Sequence, residues 1–304
     1  MINPVDELLP RHVSNEDMRY LLTNSSLIID ECNNYGTVVI KKYYTSNKLH
    51  DEEIVPLLML RSIIELSDSI SVLLLNSVMD PSRILLRSLL ESYFNLEYIL
   101  EENTNKKALA YIVWNTHEQN KFYESLNPST QKGKSFQAKL NVDRFFSQTK
   151  ILDKEKYQGA FENNEELLNL PEYQEIEKIY QSRKQIYKSR LKWYTVLDNF
   201  QSLEDLSTHL HLYGSYQFLY KLWSKDTHGT SISEGKLIVE KNGMTGLIQM
   251  RNPNNGLSIF GFTYFIVTNA LSTFIKKLSP NDELEFKEWL KHSLSRYKSI
   301  MGKI

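Results

Sequence analysis

The sequence predicts an all-α, multi-helix bundle decorated by one small β-hairpin near residues 236–250. Three observations predict it. Apolar residues recur at helical rather than alternating spacing along most of the chain, helix start signals punctuate it, and only one stretch sets apolar runs on either side of an Asn-Gly pair. With 304 residues the chain is expected to form a single helical domain over 1–304, carrying a polar insertion or lid at 127–170.

Ser14 with Asp17 opens a first helix, expected to run to about Tyr44 with an irregularity at Gly36. A second runs from about Asp51 to Met79, with Pro56 placed in its first turn. Its stripe Leu57, Leu60, Ile64, Ser67, Ser71, Leu74 and Val78 recurs at helical spacing and marks a packing face. After a tight break at Met79 and Asp80, Pro81 tolerates the first turn of a central helix reaching Leu100. This helix is apolar on most sides, so it belongs in the interior. Thr104 begins the next, which ends near Glu124.

From Asn127 to Leu170 the composition turns polar. Gly133-Lys134-Ser135 has the ending of a phosphate-binding loop, but Pro128 stands where the first glycine belongs and no strand precedes it, so a nucleotide fold is rejected. Pro171 opens a long polar helix to about Trp193, and Ser202 with Asp205 opens another. Lys241-Asn242-Gly243-Met244 connects the two arms of the hairpin. An uncharged helix and a charged one, Asn281 to Met301, close the chain.

Composition limits the function classes. The 36 basic and 37 acidic residues leave a net charge of -1, so nothing global points to nucleic acid or to a membrane surface, and no DNA-binding motif is present. Cys32 is the single cysteine, which excludes an internal disulfide framework and any CxxC zinc or redox pair. The N-terminal residues have early acids and prolines in place of a signal peptide's apolar core, and a cytoplasmic location is expected. Residues 252–275 form the one membrane-length uncharged run. Ser258, Thr263, Thr268, Asn269, Ser272 and Thr273 interrupt it, so a buried bundle helix is expected there.

Two polar constellations stand out. On the central helix Arg87, Glu91 and Asn95 follow one another at steps of four, stacked along one face of an otherwise apolar element. Arginine before glutamate is the weaker order for helix stability, so surface pairing explains it poorly, whereas a buried ion pair or a polar site in the bundle core does. Farther on, Tyr213, Tyr216, Tyr220, Ser224 and His228 fall at steps of three or four, and Gly229 suits a helix end. His228 there either caps the helix or titrates at a site.

The chain resembles a bacterial, all-helical domain-of-unknown-function family that pairs an Arg-Ser-Leu-x-Glu helix, here Arg87 to Glu91, with a Ser-x-x-x-His-Gly helix end, here Ser224 to Gly229. The resemblance covers most of residues 50 to 275 and implies a helical bundle in which Arg87, Glu91, Ser224 and His228 meet. It implies no activity. A more distant similarity is to the HEPN ribonucleases, helical bundles whose arginine precedes the histidine by a few residues on one helix. Here those positions hold Lys221, Leu222 and Trp223, so Arg87 would have to arrive from another helix. That similarity implies His228 acting as acid or base on a ribose hydroxyl and Arg87 stabilising the phosphorane charge without a metal.

Other chemistry is less well supported. A di-iron bundle needs two Glu-x-x-His motifs, which His117 beside Glu118 and Asp205 with His209 do not supply. His209 and His211 would point apart on a helix, and no Gly-x-Ser-x-Gly elbow occurs. Neither metal nor cofactor is expected. The basic run around Arg183 and Lys188, interleaved with Tyr187, Trp193 and Tyr194, is the best feature for gripping RNA.

The expected function is therefore a binding or regulatory bundle that engages a protein partner or itself. A metal-independent HEPN-like ribonuclease or toxin-type effector in phage defence is the first alternative, and a small-molecule sensor the second. The candidate catalytic residues are Arg87, Glu91, Ser224 and His228. Tyr213, Tyr216, Tyr220, Arg183 and Lys188 are the candidate substrate-binding residues.

Overall fold

The computed structural model describes residues 5–46, 49–146, 154–221, 223, 236–239 and 245–302. In chain order the helices are α1 (Glu16–Ser46), α2 (Asp51–Leu75), α3 (Met79–Glu101), α4 (Thr104–Leu126), α5 (Gln131–Asn141), α6 (Lys154–Leu168), α7 (Gln174–Tyr187) and α8 (Leu203–His209). The Gly256–Leu278 and Glu283–Met301 helices follow. The fold is all-α. Strands β1 (Leu237–Val239) and β2 (Thr245–Leu247) pair antiparallel, Ile238 opposite Gly246, within the stretch expected to form the hairpin. Two compact units emerge, Met1–Glu102 with Ser202–Ile304, and Asn103–Gln201.

In the first unit the Gly256–Leu278 helix packs on α1, α2, α3 and the Glu283–Met301 helix. Its Ile259, Phe260, Val267, Leu271 and Phe274 are buried with Leu22, Ile29, Leu60, Ile70, Leu86, Leu89, Phe94 and Ile99. This helix is long and apolar enough to cross a membrane by length and composition, and 67% of its most apolar window is buried within the protein. Two of its buried hydroxyls are spent locally: Thr263 donates to the Ile259 carbonyl and Thr268 to the Tyr264 carbonyl, each at 2.8 Å, so these two donors are paired within the helix.

Several boundaries differ from the sequence expectation for identifiable reasons. Helix α1 is capped by Asn15, whose Oδ1 accepts from the Met18 amide at 2.9 Å, rather than by Ser14. It also runs uninterrupted through Gly36. A Cβ there would lie 2.5 Å from Ile64 Cδ1, so the glycine serves the close approach of α1 to α2 rather than a bend. Pro56 lies beyond the first turn of α2. The break between α2 and α3 falls at Asn76–Val78, where the Val78 amide reaches back to Leu73 O at 2.9 Å and the Ser77 amide to Leu74 O at 3.0 Å. The last helix starts at Glu283 after a 3₁₀ turn, Pro280–Asp282.

The second unit has its own core of Ala110, Val113, Leu168, Tyr173, Ile176, Tyr180, Leu191 and Val196, gathered from α4, α6, α7 and the turns around them. The polar stretch 127–170 lies in this unit and supplies α5 and α6. Gly133 sits in the first turn of α5, where the Thr130 hydroxyl accepts its amide at 2.9 Å and a Cβ would meet the Asn127 carbonyl. That glycine lets a helix start pack tightly, and its amide is taken by the Thr130 cap. The helix expected from Pro171 to Trp193 is broken in two places: 3₁₀ turns occupy Pro171–Tyr173 and Lys188–Arg190, and Lys188 takes a φ of 53° that ends α7.

Candidate functional site

The polar face of α3 meets the Tyr213–Lys221 segment inside the first unit. Arg87 and Glu91 are each half-buried on α3. Facing them, the chain forms a short helical turn, Tyr213–Ser215, and then widens into a π-helical turn, Tyr216–Lys221. Turns of this kind are uncommon and recur at functional sites, because the extra residue per turn re-aims side chains. Here Tyr216 stacks on Tyr220 with ring centroids 5.3 Å apart and planes 19° apart. Gln217 anchors the turn by donating to Glu204 Oε1 of α8 at 2.8 Å.

Tyr220 is the hub. Its hydroxyl accepts from Arg87 Nη2 at 2.6 Å and donates to Glu91 Oε2 at 3.2 Å, and the Arg87 guanidinium carbon lies 4.1 Å from its ring centroid. The tyrosine thus binds the cation through both its face and its oxygen. Burial, reinforced by the Glu91 charge, pushes the Tyr220 phenol up to about 12. It therefore stays protonated at neutral pH and acts as a donor to Glu91, which excludes it as a general base there. Burial likewise raises Tyr216. One valence is left over: Arg87 Nε is buried and has no hydrogen-bond partner among the described residues.

The sequence reading missed a second polar group farther along α3. Glu97 accepts from Thr273 Oγ1, on the uncharged helix, at 2.6 Å, and Tyr93 also bonds it. Burial raises the Glu97 carboxyl above the ordinary carboxylate value, with the Thr273 and Tyr93 bonds and Lys276 opposing. The only local signal was Tyr93 four residues before Glu97; Thr273 is 176 residues away. Past it, His209 at the end of α8 pairs with Glu101 at 2.9 Å.

Of the residues singled out from sequence, the fold gathers Arg87, Glu91, Tyr216 and Tyr220. Tyr213 is 48% exposed at the start of the segment. Ser224 and His228 lie outside the described residues. Arg183 and Lys188 belong to the second unit. Arg183 Nη1 donates to Asn199 Oδ1 at 2.6 Å, Lys188 is exposed, and Trp193 and Tyr194 are buried with their rings turned into the unit. Of the aromatic rings in that run, Tyr187 is only partly buried.

The second unit holds its own histidine–glutamate pair. His117 Nε2 is 2.8 Å from Glu177 Oε2, and the His117 ring stacks on Tyr180 at 4.1 Å with planes 3° apart. Burial alone would raise Glu177, but bonds from His117 and Gln181 outweigh it and hold the carboxyl below its ordinary value. No group of three or more His, Cys, Asp or Glu side chains placed to hold a metal occurs among the described residues.

A sequence profile described as "Family of unknown function (DUF5677)" matches residues 53–245, a span that begins in α2 and includes α3 and the π-helical turn. Neither a curated protein nor a solved structure gives a significant match.

Proposed function

The chain belongs to the family of unknown function DUF5677, and from that premise we propose that it is a binding or regulatory bundle whose α3 site receives a hydrogen-bond acceptor from a ligand or partner. One observation carries this reading. In a cluster where Tyr220 satisfies both Arg87 Nη2 and Glu91, Arg87 Nε remains buried and without a partner among the described residues. A buried donor left in this way costs about 1–3 kcal/mol, which an incoming carboxylate or carbonyl would recover. The π-helical turn that positions Tyr216 and Tyr220 supports the same reading, because it holds the two rings as a stacked wall against the guanidinium.

The test has two arms. Thermal stabilisation is measured against a panel of small carboxylates, and Arg87→Gln should abolish any rise seen with the wild type. In parallel, labelled RNA is incubated with wild type and His228→Ala in chelator. Intact RNA in both samples is expected. Cleavage by the wild type that His228→Ala removes would replace the binding reading with the HEPN-like ribonuclease.

A further inference from the structure

Away from α3, a cleft of about 350 Å³ opens between the segment before α1, the end of α2 and the strand-to-helix connection. That volume is in the range of small-molecule sites. Its walls carry Arg11, His12, Arg19 and Arg251 and no aspartate or glutamate, in a chain whose net charge is -1. Glu16, which pairs with Arg19 at 3.5 Å, is not part of the lining. The two chain segments that supply the arginines are tied together, the Met250 amide to Leu8 O at 2.7 Å and Arg251 Nη1 to Arg11 O at 3.4 Å.

A second, independent feature sits in the same wall. Ser77 lines the cleft, is only 2% exposed, and its Oγ has no hydrogen-bond partner among the described residues. It also occupies the left-handed position that closes α2, at φ 58°, where glycine is the favoured residue. A serine there is strained and its buried hydroxyl unused, so helix termination does not account for it.

We infer that this cleft binds a small phosphate-bearing molecule, with Arg11, Arg19 and Arg251 neutralising the phosphate and the Ser77 hydroxyl donating to one of its oxygens. Several positive charges without a carboxylate match a multiply charged oxyanion better than a single carboxylate. The end of α2 opposes an anion with about half an elementary charge and Glu16 offsets Arg19, but Arg11 and Arg251 outweigh the helix end. The lining has no aromatic ring besides His12 to stack a base, which favours a small phosphate compound over single-stranded RNA.

The full chain is titrated with pyrophosphate at low ionic strength, following the thermal midpoint and the heat of binding, with chloride at matched ionic strength as control. A midpoint rise specific to pyrophosphate is expected. Arg11→Gln and Arg251→Gln should each weaken binding about tenfold, and Ser77→Gly about three- to tenfold. Ser77→Gly is the decisive variant, because glycine suits that backbone: the unliganded midpoint should rise while affinity falls, so a loss of binding cannot come from misfolding. Three results overturn the inference: chloride stabilising as well as pyrophosphate, Ser77→Gly binding pyrophosphate unchanged, or a short single-stranded RNA binding more tightly through the same arginines. None of these residues belongs to the α3 site, so failure here leaves that reading untouched.

Discussion

The two units contain similar side-chain assemblies with opposite remainders. In the first, the Arg87 guanidinium lies 4.1 Å from the centroid of Tyr220; in the second, the His117 ring lies 4.1 Å from that of Tyr180, and each assembly includes a glutamate. In the first the phenol bridges both charges and a guanidinium nitrogen is left over. In the second the histidine and the glutamate satisfy each other, and the side-chain atom without a hydrogen-bond partner among the described residues is the Tyr180 hydroxyl, on a side chain 0% exposed within the unit's core. The unused donor of the first belongs to a half-buried cation beside the π-helical turn, whereas the phenol of the second belongs to a ring fully buried in its unit's core, where the unused hydroxyl is a cost of packing that ring. Similar ingredients thus make a candidate site in one unit and a structural clamp in the other.

The largest way to break this contrast is Tyr180→Ala, expected to cost about 3–5 kcal/mol by emptying the core of the second unit. Hydrogen exchange should show protection lost from α4 and α7 and retained in α3. Tyr220→Phe should cost about 1–3 kcal/mol, because it leaves both Arg87 and Glu91 short of a partner. Tyr180→Phe is the informative opposite: removing an unused buried hydroxyl should be neutral or stabilise by up to about 1 kcal/mol in a denaturant titration. If Tyr180→Phe destabilises as much as Tyr220→Phe, the distinction between clamp and site fails.

Smaller effects follow from protonation. Tyr220 is raised from an ordinary 10.0 to about 12, so the folded form holds its proton more tightly than the unfolded chain. Its contribution should be complete below pH 10 and disappear as pH climbs toward 12, a decline that Tyr220→Phe should flatten. In acid the two units should diverge. Glu177 is held low, so its contribution is present above the ordinary value and is lost as pH falls through the depressed one. Glu97 is held high, so it favours folding most when protonated and less as pH rises through its raised value. Residue-resolved exchange on lowering the pH should therefore show the second unit loosening first, and Glu177→Gln should reduce the difference.

Much of the fold was legible in the residues. The apolar stripes of α2, α3 and the Gly256–Leu278 helix follow local spacing, and spacing is a property of consecutive residues. The site was legible by halves. Arg87 and Glu91 were conspicuous because ionic groups interrupt an apolar helix, and Tyr216 and Tyr220 because they share a face. That they meet through a phenol bridge required coordinates, since 133 residues separate Arg87 from Tyr220. His117 and Glu177, 60 residues apart, gave no sign of each other. The basic run shows the same limit: spacing shows that Trp193 and Tyr194 lie near cations, but only packing shows that their rings are buried.

By itself the sequence determined that this chain is helical and which positions of its helices are polar, because those follow from periodicity and side-chain chemistry within one turn. The tertiary structure alone decided that Tyr220 joins Arg87 to Glu91, that a π-helical turn aims it there, and that arginines from opposite ends of the chain line one cleft. Such contacts depend on how distant elements pack, and packing is set by the whole set of buried surfaces rather than by any single stretch.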